Sequence, residues 1–323
     1  MKKFYLNKSL DFFIFGLSVL AFVLFLATAF NSFYWLDDFW KRSDILELGL
    51  IRFQWDIYWN WDGRASSPVY TLRNLVLWLV DYPYAWIATL VSMGFLGGTG
   101  YFIAKILISE SWNKLSWIKQ WVIALLISFV LVLIFRPHLS RSLYWATGSF
   151  YMYANFFTVF FIYRILSFPK AYSNLFWIFV AVSSGPNNGL MVLAFLFLGY
   201  FANLLERERN NFYVLFMIGL LALVIGIISP GNFNRANEQL NFSMISMVSG
   251  GFSILKEYIG MSLWVLPGSI IVALVTFPFV KKPDLKLSFL FIVLGLCSIL
   301  PFLPIPNAAS KHTSLFFQTF MLL

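Results

Sequence analysis

Residues 12–34 run for 23 positions without a charged side chain, and nearly uncharged stretches recur at 84–108, 120–135, 151–168, 212–228, 262–280 and 286–304. About 20 such residues in a helix cross a bilayer. No other feature restricts the fold as strongly. In lipid every backbone N–H and C=O must be satisfied internally, so apolar runs of this length have to be helices. Hydrophobic residues make up 60% of the 323 and charged residues 11%, where a soluble domain carries about a quarter charged. The expectation is an all-α fold, a polytopic transmembrane helical bundle forming one domain over 1–323. One further pair of apolar runs, 172–182 and 189–203, is interrupted by Ser183-Ser184-Gly185-Pro186-Asn187-Asn188. Gly-Pro in mid-run breaks a helix, so two short helices are expected to meet at a polar turn. The apolar tail from 313 to Leu323 reads as the start of another span, so the sequence is expected to be incomplete at its C-terminus.

Charge sets the orientation. With the N-terminus inside, the inner segments 1–11, 105–120, 164–173, 204–211 and 281–287 hold 13 Lys/Arg against 5 Asp/Glu, while the remainder holds 10 against 9. Basic residues favour the cytoplasmic side of short loops, so the net charge of +9 speaks for membrane topology and not for a nucleic-acid partner. Counting 66–80 as a span would reverse every later loop. That segment is therefore expected to be an interfacial helix, with Arg73 acting only as a lipid anchor that tolerates lysine. The start Met1-Lys2-Lys3 followed by a long apolar run lacks a small-residue cleavage site, so an uncleaved first span is expected. The single Cys297 allows no intramolecular disulfide. An integral protein of a bacterial cytoplasmic membrane is the expected setting.

This orientation gathers the unusual polar clusters on the outer face. The first is Asp37-Asp38, directly after the first apolar run and flanked by Trp35, Trp40 and Tyr34. A carboxylate at a membrane boundary is costly to keep, and a functional role is the default hypothesis; capping of a following helix is the bland alternative for Asp38. The outer loop 35–83 is rich in tryptophan. Asp44-Ile45-Leu46-Glu47 reads as a capping box opening a helix, with Gly49, Arg52, Asp56 and Asn60 on one polar stripe and Gln54 off the pattern. Trp61-Asp62-Gly63-Arg64 presents a carboxylate and a guanidinium in one turn: either a phosphate fork or a local pair that stabilises the turn. Arg136-Pro137-His138-Leu139-Ser140-Arg141, followed by Tyr144-Trp145-Ala146-Thr147-Gly148, offers two arginines and a histidine. Ser229-Pro230-Gly231-Asn232-Phe233-Asn234-Arg235 and Lys311-His312 complete the set. No spacing meets a zinc pattern or a serine-hydrolase elbow.

Tyr34-Trp35-Leu36-Asp37-Asp38-Phe39 at the end of a first apolar run, a long outer loop and cationic later loops resemble the membrane-embedded GT-C glycosyltransferases. Trp61-Asp62-Gly63-Arg64, Tyr144-Trp145-Ala146-Thr147-Gly148-Ser149 and Ser229-Pro230-Gly231-Asn232-Phe233-Asn234-Arg235 resemble, more closely, a bacterial multi-pass family of unknown function that is itself GT-C-like. The likeness covers residues 34–235. It implies a membrane glycosyltransferase moving a sugar from a polyprenyl-phosphate donor to a cell-envelope glycan or lipid acceptor at the outer face. Asp37 or Asp38 is then the general base and His138 assists. Arg64, Arg136, Arg141, Asn232, Arg235 and Lys311 hold substrate. Where that family is expected to place an acidic residue at the broken-helix turn, this protein has Asn187 and Asn188. No metal ligand is assigned, and a divalent cation as cofactor stays open. The alternative is a lipid-linked glycan transporter or a non-catalytic membrane partner in envelope polysaccharide assembly.

Overall fold

The computed structural model describes residues 8–32, 34, 36–135, 146–205, 209–239, 252–256, 258–260, 265–280, 284–297, 318–319 and 321. Among these the protein is helical, with no strand. In sequence order the principal helices are α1 (Lys8–Ala27), α2 (Leu36–Leu48), α3 (Leu50–Asn60), α4 (Pro68–Leu79), α5 (Ala85–Leu107), α6 (Trp117–Phe135) and α7 (Phe150–Ser167). They continue with α8 (Asn174–Ser183), α9 (Pro186–Phe201), α10 (Arg209–Ile227), α11 (Pro230–Gln239), α12 (Val265–Thr276) and α13 (Leu285–Cys297). Among the described residues two stretches are long and apolar enough to cross a membrane, Tyr82–Leu107 and Trp117–Phe135; the bent pair Phe252–Gly260 and Val265–Phe279 makes a third if it is one span. The other apolar helices are shorter.

Local chemistry explains several helix starts. Asp37 and Asp38 stand in the first turn of α2, where a negative charge meets the positive end of the helix dipole. Ser67 caps α4, its hydroxyl accepting from the Val69 N–H at 3.1 Å, and Pro68 fills the first helical position, where no N–H is needed. Pro186 opens α9 in the same way, so the interrupted run is two helices, α8 and α9, meeting at Gly185.

The centre is α5 packed between α6 and α7. Small residues allow the close approach: a Cβ on Gly98 would press into the Phe156 ring, and one on Gly100 would overlap Ser128. Beside them Phe95, Phe102, Phe156, Phe157, Phe160 and Trp177 interlock edge-to-face, tilted and, for Phe157 on Trp177, stacked between α5, α7 and α8, arrangements that ring quadrupoles allow. Around this core α8 packs on α7 and α10, α9 on α10 and α13, α12 on α6, and α1 on α6.

Two readings of the first loop are corrected. The capping box at Asp44 does not open a helix, because α2 already starts at Leu36; the break falls at Gly49, whose φ of +79° suits glycine alone. Helix α4 is not a surface strip anchored by Arg73. Its buried face is Val69, Tyr70, Arg73, Asn74 and Leu77, and Arg73 is 2% exposed. The helix packs against α2 and α7, so its polar residues point into the protein.

Candidate functional site

The segments assigned to one side by charge do meet. Asp38 is fully buried, and its Oδ1 accepts from the Thr147 N–H at 2.7 Å and from the Thr147 hydroxyl at 2.6 Å. That joins the start of α2 to the corner before α7. Asp37, one residue earlier, turns outward: its side chain is 54% exposed and its Oδ2 lies 4.0 Å from the Lys41 ammonium one turn on. Adjacent helical positions differ by about 100°, so one aspartate has to face the core when the other faces out.

The turn after α3 is a hub. Arg64 donates from Nε to both carboxylate oxygens of Asp62, at 3.0 and 2.8 Å, and from Nη2 to Oδ2; its remaining fork nitrogen, Nη1, reaches the Tyr151 hydroxyl at 2.9 Å. The guanidinium also sits over the Phe150 and Tyr151 rings. Burial by itself would lower its pKa, but the Asp62 carboxylate and the Tyr151 hydroxyl outweigh that and raise it well above the ordinary arginine value. The Arg64 side chain runs past Gly185, where a Cβ would lie 3.6 Å from Cδ. Of the two readings of Asp62-Gly63-Arg64, the geometry is that of the local pair.

Asn232 is a latch. Its Oδ1 accepts from the Gly63 N–H at 3.1 Å, and its Nδ2 donates to the Gly226 carbonyl at 2.6 Å. The corner between α10 and α11 is thereby tied to the turn, and the two backbones touch: a Cβ on Gly63 would overlap the Gly226 carbonyl, and one on Gly231 the Trp61 N–H. Tyr58 adds a bond from its hydroxyl to the Ile225 carbonyl at 3.2 Å. At the broken helix the expected carboxylate is indeed an amide: Asn188 donates to the Ala154 carbonyl at 3.1 Å and to Thr158 Oγ1 at 2.8 Å. Arg136, His138, Arg141 and Lys311 lie outside the described residues, as does the side chain of Arg235, whose backbone is part of α11. Among the described residues no three His, Cys, Asp or Glu side chains gather as a metal would require.

Three residues to which the sequence reading gave no part in the site lie inside this region. Gln54 faces inward and bridges Ala65 and Thr71 with its amide nitrogen while accepting from Asn74 at 2.8 Å. Lys41 is 7% exposed. Burial first, and then the nearby Arg73 guanidinium, push its pKa down to about 7 against the opposing pull of Asp37 and Asp38. Arg73 lies over the Tyr70 ring at 4.1 Å, yet its Nε and Nη2 have no hydrogen-bond partner. The Asn74 Oδ1 is equally unmatched. The Tyr153 hydroxyl, near Ser92 and Ser149, makes no hydrogen bond of normal geometry. A cation–π contact supplies roughly 0.5–2 kcal/mol, short of the several kcal/mol that taking an ion out of water costs. The signal for Arg73 was present in the sequence: it is the one charged residue of a twelve-residue helix that is mostly apolar, and such a charge is expensive and marks function by default.

No protein-family model, no curated protein and no solved structure matches this protein. Its class rests on its own geometry: an all-helical protein with at least two helices of spanning length and apolarity, and a buried polar centre where its first loop meets three later turns.

Proposed function

We propose that this protein is a polytopic membrane glycosyltransferase that moves a sugar from a polyprenyl-phosphate donor to a cell-envelope glycan or lipid acceptor at the outer face. The observation that carries this reading is the convergence of the loop 34–83, the 146–151 corner, the Gly185 turn and the 226–232 corner around Asp38 and Arg64. These are the segments that charge bias puts on one side. Segments assigned to the other side also meet one another: Ser111 donates to the Phe279 carbonyl at 2.7 Å, and Arg164, Asn174 and Phe168 are linked at the far end of α7. An 18-residue helix such as α7 separates the two groups by about 27 Å, close to a hydrocarbon core. Phe12, Phe13, Leu17, Leu20 and Leu24 on α1 are each more than half exposed, and Met217, Leu274 and Phe289 likewise. Apolar surface of that extent needs a cover, and lipid supplies it.

In the transfer, the acceptor hydroxyl gives its proton to a carboxylate while its oxygen bonds the anomeric carbon. The bond from that carbon to the phosphate oxygen breaks, and polyprenyl phosphate leaves with the electron pair. Asp37, exposed at the rim, is the general base, a role worth about 10²–10⁴-fold. Asp38 is a positioning residue that fixes the first turn of α2 through Thr147. Arg136, Arg141, Arg235 and Lys311 are assigned to substrate, and His138 to a supporting catalytic role, by resemblance alone. Arg64 and Asn232 hold the turn against the 146–151 and 226–232 corners. Internal saturation of these two favours a second reading, a non-catalytic membrane partner. Purified protein given a labelled polyprenyl-phosphate sugar separates the two. Release of polyprenyl phosphate, cut at least about a hundredfold by Asp37→Asn with the melting temperature unchanged, supports the enzyme. Full transfer by Asp37→Asn removes the base assignment, and no transfer with any donor leaves the partner reading.

A further inference from the structure

Arginines 64 and 73 use the same edge of the guanidinium differently. In Arg64 the Nε–Nη2 edge is filled by the two oxygens of Asp62. In Arg73 that edge, two parallel donors on a planar group, is buried at 2% exposure and meets no acceptor. Helix α2, which packs on α4, brings a second buried cation, Lys41. The nearby carboxylates do not fill the Arg73 edge. Asp37 is turned out at the rim, 4.0 Å from Lys41, and Asp38 Oδ1 is engaged by Thr147. Tyr153, on α7, contributes a buried hydroxyl without a hydrogen bond of normal geometry, and Asn74 a bare amide oxygen.

We propose that Arg73 and Lys41 form a buried receptor for a phosphate group, the Arg73 Nε–Nη2 edge gripping two oxygens and the Lys41 ammonium a third. A carboxylate would satisfy the fork alone, with one charge and no oxygen left over. Two cations call for a group with more charge and at least three oxygens, and the planar fork matches phosphate geometry bidentately. The two like charges lie out of water, and burial and then the Arg73 charge lower the pKa of Lys41 against the pull of Asp37 and Asp38. Asp37 is exposed one helical turn from Lys41, so the base stands at the surface and the two cations lie deeper. The transferase reading enters only in making this the departing polyprenyl phosphate, a monoester with three free oxygens where the donor diester has two. Binding is read without turnover, so the two ideas fail separately.

The test uses the full-length protein in detergent and follows its melting temperature with inorganic phosphate against chloride of equal ionic strength, and with a polyprenyl phosphate in the micelles. The wild type is expected to gain several degrees from at least one of the two. A gain from inorganic phosphate at millimolar concentration assigns the site to a soluble phosphate. A gain from the lipid alone assigns it to a headgroup. Arg73→Met and Lys41→Met should weaken the apparent affinity about tenfold or more, since each removes hydrogen bonds to a charged group. Without phosphate, Arg73→Met should melt no lower than the wild type, because it deletes a buried charge whose fork edge is unanswered. If Arg73→Met does not fold, Arg73→Lys carries the test: it keeps the charge, lacks the fork, and should show the same affinity loss. Arg52→Gln, at an exposed position on α3, should keep the full effect. The site is refuted if neither phosphate source shifts the wild type, or if the shift survives loss of the Arg73 fork. Phosphate binding through Arg73 with no sugar transfer would sink the transferase and leave the site; transfer by Arg73→Lys at an unchanged KM would do the reverse.

Discussion

Lys41 ties acidity to stability. Its folded pKa is about 7, pushed down by burial and by Arg73, with Arg64 adding to this and Asp37 and Asp38 opposing it; unfolded, it titrates near 10.4. Between those values the unfolded state binds more protons than the folded one, so stability rises with pH from about 7 to about 10. Below pH 7 both states are protonated and the full cost of burying the ammonium is present. The expected outcome is a wild-type melting temperature that climbs across this window relative to Lys41→Met, whose own profile lacks the increment. Bound phosphate should flatten the climb by favouring the charged amine. Superimposable profiles for the two proteins without phosphate would show that Lys41 is not buried with a depressed pKa. The contrast with Arg64 is one of partners. Asp62 is 3% exposed and holds its fork, whereas the same edge of Arg73 has no acceptor.

Among elements, the junction of the Asp62–Arg64 turn with the α10–α11 corner has the least tolerance. Gly63 and Gly231 approach opposing backbone so closely that a methyl has no room, and backbone, unlike a flexible side chain, does not yield cheaply. Gly63→Ala is therefore predicted to destabilise more than Gly49→Ala, although Gly49 carries the positive φ. At Gly49 the space is open and the penalty is conformational, of order 1–3 kcal/mol. Asn232→Ala should fall in the range of about 1–3 kcal/mol, because it leaves the Gly63 N–H and the Gly226 carbonyl without their partner. Melting temperatures of the three variants test the order, and proteolysis within 61–67 should rise for Gly63→Ala and Asn232→Ala first. An equal or smaller effect of Gly63→Ala would mean the two corners are not held in contact.

For the whole molecule, the sidedness of the loops is the claim with the widest reach. In a Cys297→Ser background, single cysteines at Ser43 or Tyr82 should react with an impermeant thiol reagent added outside, and cysteines at Lys114 or Tyr172 should not. All four positions are exposed in the fold, so protection reports the membrane and not packing. Reaction at Lys114 together with protection at Ser43 would invert the orientation and move the proposed site to the inner face.

The sequence alone determined that the described residues are helical, where the apolar runs lie and where they break. Those properties are local: a run without charge has one way to satisfy its backbone, and Gly-Pro or Ser-Pro punctuates it whatever surrounds it. Several segments that charge bias puts on one side touch one another. The sequence reading misplaced the start of α2, and it cast Arg73 as a surface anchor and Gln54 as a flaw in a stripe. Only tertiary structure decided which cation is spoken for. Asp62 sits two residues from Arg64 and captures it within one turn, while Arg73 and Lys41 are 32 positions apart and feel each other's charge because α2 and α4 pack together. Whether a buried charge has a partner depends on contacts distant in the sequence, and a pattern along one helix does not contain them.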